Sequence, residues 1–286
     1  MINYIAYFKS FLLMQETFFE KRDIMSKKDK AIIVVSFGTS FIEVLDKTIG
    51  VCEKEISEAF PDYEIRRAFT SNMIRKSLLK KENMNVDNLE QALDKLISEG
   101  YKEVFIQPLH IIPGEEYHEK IIKPSLSYFK KFETIKIGKS LLFDTADYFK
   151  LIEALKNQLP GKKEGQAVIF MGHGASHPAN ACYAALQLKL IDEIPDTFIA
   201  NVEGYPELED IEEKIKGYKT LLLMPLMLVA GDHAMNDMAG DDEDSWKSVL
   251  ESKEYEVEIY MKGLGENIEI RKIYIESLTQ LINSDS

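Results

Sequence analysis

The 286-residue chain is long enough for two domains of about 130 residues each, and its 45% hydrophobic and 10% aromatic content can fill a core in both. A net charge of −13, from 35 basic and 48 acidic residues, argues against nucleic acid and anionic membrane surfaces as partners. Cys52 and Cys182 stand apart, with neither CxxC spacing nor a disulfide framework, which fits buried apolar cysteines in a reducing cytoplasm.

Residues 1–24 differ in character from the rest. Lys9 interrupts their apolar stretch, leaving it too short to span a bilayer, and no basic region or cleavage site of a secretory signal accompanies it. Ile5, Phe8 and Leu12, with Phe11, Met14 and Phe18, recur at helical spacing and permit an amphipathic surface helix. Met25-Ser-Lys-Lys-Asp-Lys, however, leads straight into the first strand, so an upstream start codon is the favoured reading. The expected organisation is an extension over 1–25, a first α/β half over 26–160 and a second over 161–286.

In the first half, Ala31 to Val35 reads as a strand, followed by the loop Ser36-Phe-Gly-Thr-Ser40 and a helix from Ile42 to Phe60. Small hydroxyl and glycine residues ahead of a helix offer N–H groups and a positive helix end to an anion, although an ordinary strand-to-helix turn uses the same residues. Tyr63 to Phe69 is a second strand, ending in Thr70-Ser71-Asn72. Arg75, Lys76, Lys80 and Lys81 then mark a helix with a solvated basic face. A helix from Asn88 to Glu99 stops at Gly100, and a strand from Lys102 to Leu109 leads into His110. Leu141 to Asp144 reads as the last strand of this half, followed by a helix from Asp147 to Gln158 and a linker at Pro160-Gly161.

The second half repeats this plan. Gly165 to Met171 is a strand ending in Gly172-His173-Gly174, Asp196 to Val202 one ending in Glu203-Gly204, and Thr220 to Ala230 an apolar run followed by Gly231-Asp232-His233. His173, Glu203 and His233 are spaced by 30 residues each, about the length of a βαβ unit. Equal spacing predicts equivalent strand ends, where open α/β sheets bind ligands. Two imidazoles and a carboxylate suit Co, Ni, Fe or Zn. Pro108-Leu109 and Gly114 also lie 117 residues before Pro225-Leu226 and Gly231, which pairs Glu115-Glu116 with Asp232-His233. Two similar α/β domains facing one another, with a ligand cleft between them, are therefore expected. A helix from Ile268 to Ile282 closes the chain.

Other patterns carry less. Gly172-His-Gly-Ala-Ser-His177 begins like a dinucleotide fingerprint but has His177 where the third glycine belongs. No Walker loop, HExxH or nucleophile elbow occurs, so neither ATP nor an organic cofactor is expected. His118 and His177 read as lone loop histidines and His110 as a packing residue. Met224, Met227, Met235 and Met238 read as an adaptable wall rather than a soft-metal site. Asp241-Asp-Glu-Asp244 reads as an exposed acidic turn.

Ser36-Phe-Gly-Thr-Ser40, Arg67-Ala-Phe-Thr-Ser71, Met171-Gly-His-Gly-Ala-Ser-His177 and the run from Met224 to Met238 together resemble the anaerobic-type sirohydrochlorin cobaltochelatases, class II chelatases of cobalamin biosynthesis. The resemblance extends from about Lys28 to the C-terminus. It implies a ferrochelatase-like fold of two pseudo-symmetric parallel-sheet domains, with a tetrapyrrole, sirohydrochlorin or precorrin-2, in the cleft between them. It implies Co2+ as substrate metal, inserted without ATP. By motif position, His173, Glu203 and His233 match the family's metal-site residues, His173 its proton acceptor, and Glu116 an acidic group on the opposite wall. The substrate's carboxylates are then expected on the turn containing Ser36, Gly38, Thr39 and Ser40 and on Thr70-Ser71. Ni2+ or Fe2+ insertion, a tetrapyrrole carrier and a metal-dependent hydrolase are the alternatives, and a homo-oligomer is compatible with all of them.

Overall fold

The structure, a computed structural model, describes residues 29–161 and 163–284. The expected N-terminal extension lies outside the described residues. Two four-stranded, all-parallel sheets share one strand order. The first is β2-β1-β3-β4, from β1 (Lys30–Ser36), β2 (Glu64–Phe69), β3 (Glu103–Pro108) and β4 (Thr134–Ile137). The second is β6-β5-β7-β8, from β5 (Gln166–Gly174), β6 (Thr197–Glu203), β7 (Thr220–Pro225) and β8 (Glu256–Ile259). The interior strands β1 and β5 are buried along nearly their whole length, as strands covered on both faces must be. The expected fold class, a pair of pseudo-symmetric parallel sheets flanked by helices, is what the chain adopts.

Side chains alternate between faces along each strand. Ile32 and Val34 of β1 join Val168 and Phe170 of β5 in one continuous core between the sheets. Ala31, Ile33 and Val35 face a second core under the outer helix of the first half, and Ala167, Ile169 and Met171 face its counterpart in the second.

The longer helices are α1 (Val51–Ala59), α2 (Asn72–Glu82), α3 (Leu89–Ser98), α4 (Thr145–Gln158), α5 (Ala181–Glu193), α6 (Leu208–Ile215), α7 (Trp246–Ser252) and α8 (Ile268–Asn283). Local chemistry starts several of them. Ser71 caps α2 by accepting from the Ile74 amide, and Asn88 with Gln91 forms a capping box on α3. The terminal helices are exchanged between the halves. Helix α4 ends the first half but packs on α5, while α8 ends the second half but packs on α1, β3 and β4. Buried Tyr274 of α8 donates to the Leu109 carbonyl at 3.0 Å, Arg271 meets Glu55 at 2.8 Å, and Lys150 of α4 meets Glu276 at 2.6 Å.

Two expected strands are corrected. The last strand of the first half is Thr134–Ile137, paired with Glu103 to Ile106, and not Leu141 to Asp144. Gly138 ends that ladder, and Leu141 and Leu142 then donate to His110 and Ile111 from a buried loop. Their apolar character reflects core filling without strand pairing. In the second half, the strand beginning at Thr220 stops at Pro225, five residues before Ala230. Proline offers no N–H to continue the ladder, so Leu226 to Ala230 run on as a loop held by the amides of Leu264 and Gly265.

Candidate metal and tetrapyrrole site

The carboxyl ends of β5 and β6 carry the first two site residues. Register pairs Gly174 with Glu203, which sets His173 beside Glu203, and His173 Nδ1 lies 3.7 Å from Glu203 Oε1. The approach needs glycine. Gly174 has φ +77°, and a Cβ there would sit 1.7 Å from the Glu203 carbonyl oxygen. Tyr183, wedged under Gly172, braces this strand end, and burial pushes its hydroxyl up to about 12, so it stays protonated.

His233 arrives by a different route. Met171 pairs with Pro225, so a straight continuation of β7 would set Met227 opposite His173. His233 lies six residues farther on, brought back by the Leu226–Asp232 loop to cap a π-helical turn, Ala234–Met238. Equal spacing therefore does not mean equal topology; only His173 and Glu203 occupy matching strand ends. The two imidazoles nevertheless meet, with ring centres 4.9 Å apart and planes at 86°. Two imidazoles sharing an ion at about 2.1 Å, at right to tetrahedral angles, have centres about 4.5–5.2 Å apart. Among the described residues no three His, Cys, Asp or Glu side chains form a ready metal-holding group. The site is a histidine pair with one carboxylate alongside.

Partners on Nδ1 orient both rings. His173 Nδ1 lies 3.0 Å from the Gly174 carbonyl oxygen, and His233 Nδ1 lies 2.5 Å from Asp237 Oδ2. Carbonyl and carboxylate oxygens only accept, so both Nδ1 atoms carry the proton and both Nε2 atoms keep a lone pair. Sequence reasoning missed Asp237, whose one signal was a carboxylate four residues after a histidine on a helical face. Asp237→Ala is expected to lower metallation and Co2+ affinity about 10- to 100-fold. Asp237→Asn, whose amide oxygen still accepts, should retain more of both when turnover and Co2+ binding are measured side by side.

The matching positions in the first half form the facing wall. Superposing the strand registers sets Phe37 against His173 and Ser71 against Glu203, and the 117-residue repeat sets Glu116 against His233. Phe37 is 43% exposed, an aromatic face open to the cleft end of the strand. Not all the expected anion-binding residues are free. Thr39 Oγ1 accepts from the Phe41 amide and Ser71 Oγ from the Ile74 amide, both at 3.3 Å, so these two hydroxyls serve their own turns. Gly38, at φ +97°, packs on the Phe69 ring, and Ser40 is half-buried beside it. Ser36 Oγ, Thr70 Oγ1 and Glu116 Oε2 are buried with no hydrogen-bond partner. Buried polar atoms are normally satisfied, so this wall holds polar capacity that the chain itself does not use. Asn201, beneath Gly172, and both nitrogens of His110 share that condition. Burial drives His110 down to about 4, which keeps it neutral at working pH. His118 and His177, expected to stand alone, instead touch each other across the two halves, with ring centres 5.3 Å apart.

Paired parallel sheets with such a cleft define a chelatase-type architecture. The fold matches SirB from Bacillus subtilis with Fe3+, at TM-score 0.62 and 13% identity over 89% of this chain and 96% of that one. It also matches SirB from Bacillus subtilis subspecies spizizenii in complex with cobalt, at TM-score 0.59 and 11% identity over 88% and 95%. The family model for cobalt chelatase (CbiK) matches residues 30–283, and the chain belongs to that family. The sirohydrochlorin cobaltochelatase of Salmonella typhimurium is 42% identical over 256 residues, covering 89% of this chain and 97% of that protein. Sirohydrochlorin cobaltochelatase CbiKC of Nitratidesulfovibrio vulgaris is 33% identical over 259 residues, covering 89% and 91%. No described helix is long and apolar enough to cross a membrane.

Proposed function

We propose that the protein is a sirohydrochlorin cobaltochelatase, inserting Co2+ into sirohydrochlorin in the cleft between its two sheets. The observation that carries this reading is the His173–His233 pair, two imidazoles 4.9 Å apart whose Nε2 lone pairs are both available. Family membership and the 42% identical relative of that name support it.

Insertion removes two pyrrole N–H protons and exchanges the metal's ligands for four macrocycle nitrogens. His173 and His233 present Co2+ through Nε2, and Glu203 balances part of its charge. A set of so few protein ligands holds the ion loosely enough to give it up. As the metal moves into the ring, the vacated Nε2 atoms of His173 and His233 each take one pyrrole proton, and Glu203, 3.7 Å from His173 Nδ1, relays a proton from that ring toward solvent. Phe37 covers the other macrocycle face, the Ser36, Thr70 and Ser40 hydroxyls donate to peripheral carboxylates, and Glu116 stands on that wall as an acceptor. Proton loss and ligand exchange involve neither group transfer nor redox change, so no organic cofactor and no ATP are required. Free cysteines and a soluble tetrapyrrole suit the cytoplasm, and Pro160-Gly161 serves as the boundary between halves.

The test is the absorbance spectrum of metal-free sirohydrochlorin with Co2+ and protein, followed against a protein-free control and repeated with Ni2+ and Fe2+. A protein-dependent shift fastest with Co2+ is expected. A spectrum that changes no faster than the control overturns the reading, and faster Ni2+ or Fe2+ insertion reassigns the metal.

A further inference from the structure

His177 carries its proton on the opposite nitrogen from the metal-facing pair. Its Nδ1 accepts from the Ala179 amide at 3.1 Å. A backbone N–H only donates, so the neutral ring holds its proton on Nε2. His173 and His233 thus offer lone pairs from Nε2, whereas His177 offers a hydrogen-bond donor. That distinction makes His177 unsuited to binding a metal through Nε2, because ligation there would require the proton to leave and the Ala179 bond to break.

The tautomer is built into the turn. His177 caps the 3-10 turn Pro178–Asn180. Asn180 pins that turn by accepting from the Ala175 amide at 3.1 Å and donating to the Tyr205 carbonyl at 2.6 Å. Across the cleft stands His118, directly after the Glu115–Tyr117 turn of the first half, with its ring 5.3 Å from that of His177 and tilted 48°. Tyr117 backs His118 edge-on at 5.7 Å and is itself fixed by a 2.9 Å bond to the Gly138 carbonyl. The charged neighbour Glu119 is engaged by Lys123 at 2.8 Å. The pair lies four residues past His173 on one wall and two past Glu116 on the other.

We propose that His177, with His118, is a carboxylate clamp that grips an acid side chain of the tetrapyrrole from both halves and so fixes the macrocycle's rotation over the metal pair. This rests on the tetrapyrrole reading of the cleft. In a chain of net charge −13, a poly-carboxylate ligand needs local donors. Imidazole supplies them without the permanent charge of lysine or arginine. The clamp acts in binding and positioning; His177 takes no part in proton removal.

The test is a titration of metal-free sirohydrochlorin into protein without metal, followed by the macrocycle's fluorescence, which needs no turnover. His177→Ala is expected to raise Kd about tenfold, the usual loss of a hydrogen bond to a charged group, and His118→Ala to raise it in the same direction. His177→Gln, which restores an N–H near the Nε2 position, should recover most of the affinity. Co2+ binding measured by calorimetry should be unchanged in all three. An unchanged Kd in His177→Ala overturns the clamp, as does a glutamine variant no better than alanine, which marks a packing role only. Loss of Co2+ binding in His177→Ala overturns it in favour of a second metal site. Wild-type protein that does not bind the macrocycle overturns the functional reading itself, and is told apart from the other failures by that lack of binding.

Discussion

Turnover of Co2+ insertion by the His173→Ala variant is expected to fall about 100-fold or more, the range of a lost general base. In the proposed mechanism His173 both presents the metal and accepts a pyrrole proton, and it stands 3.7 Å from Glu203 and 4.9 Å, ring to ring, from His233, so its removal would take away both roles together. The loss should appear in kcat, while sirohydrochlorin affinity, held by the other wall and the His118–His177 pair, stays within about threefold, because less than 1 kcal/mol separates such values. Its half-exposed side chain carries little packing, so circular dichroism and the unfolding midpoint should match wild type. Rates of metallation and macrocycle titrations on the same preparation check both halves of the prediction. A variant that metallates at the wild-type rate would remove His173 from the mechanism and leave His233 with Glu203 as the only candidates.

Gly174→Ala is expected to destabilise the fold by about 3 kcal/mol or more, adding left-handed strain to a backbone collision. The new Cβ would meet the Glu203 carbonyl at 1.7 Å and the Asn201 Cβ at 2.7 Å, so β5 and β6 must separate at the site itself. Gly165→Ala is the control. Gly165 has a similar φ of +72° but no atom within 4 Å of its added Cβ, so that variant should lose only about 1–2 kcal/mol from conformation. Urea unfolding of the two variants separates crowding from dihedral strain, and equal losses would refute the close-approach account. Gly174→Ala should also metallate poorly in conditions where it remains folded, because Glu203 is carried away from His173.

The strand cores and the strand-end positions of the first two candidate site residues were legible in the sequence because buried parallel strands read as apolar runs and turn residues mark their ends. Gly172-His173-Gly174 and Glu203-Gly204 show this directly. His233 meets His173, but by a different geometry from the one expected. Its distance from Glu203 matched a βαβ repeat, but Pro225 ends the strand early and a looped segment makes up the difference. Thr134–Ile137 escaped notice because four residues with one lysine carry little hydrophobic signal, while Leu141-Leu142 offered a stronger one for filling the core. The residues expected to bind anions were read from composition. Whether a hydroxyl such as Ser71 caps its own helix or faces a ligand depends on which way the side chain turns. Contacts between the halves, His118 with His177 above all, have no local sequence signature, since 59 residues separate partners that only the tertiary fold brings together.

The exchanged terminal helices bear on the mechanics of the cleft. Each half is roofed by a helix from the other, with Tyr274 anchored to the end of β3 and Asn267 anchored to the Ala154 carbonyl of α4. Prising the halves apart like a jaw would peel α8 from the first sheet and expose the apolar face it covers. Separating the two walls therefore costs buried apolar contact, which disfavours a wide hinge motion between them. A macrocycle docking between walls tied together in this way would divert little free energy into closing a hinge.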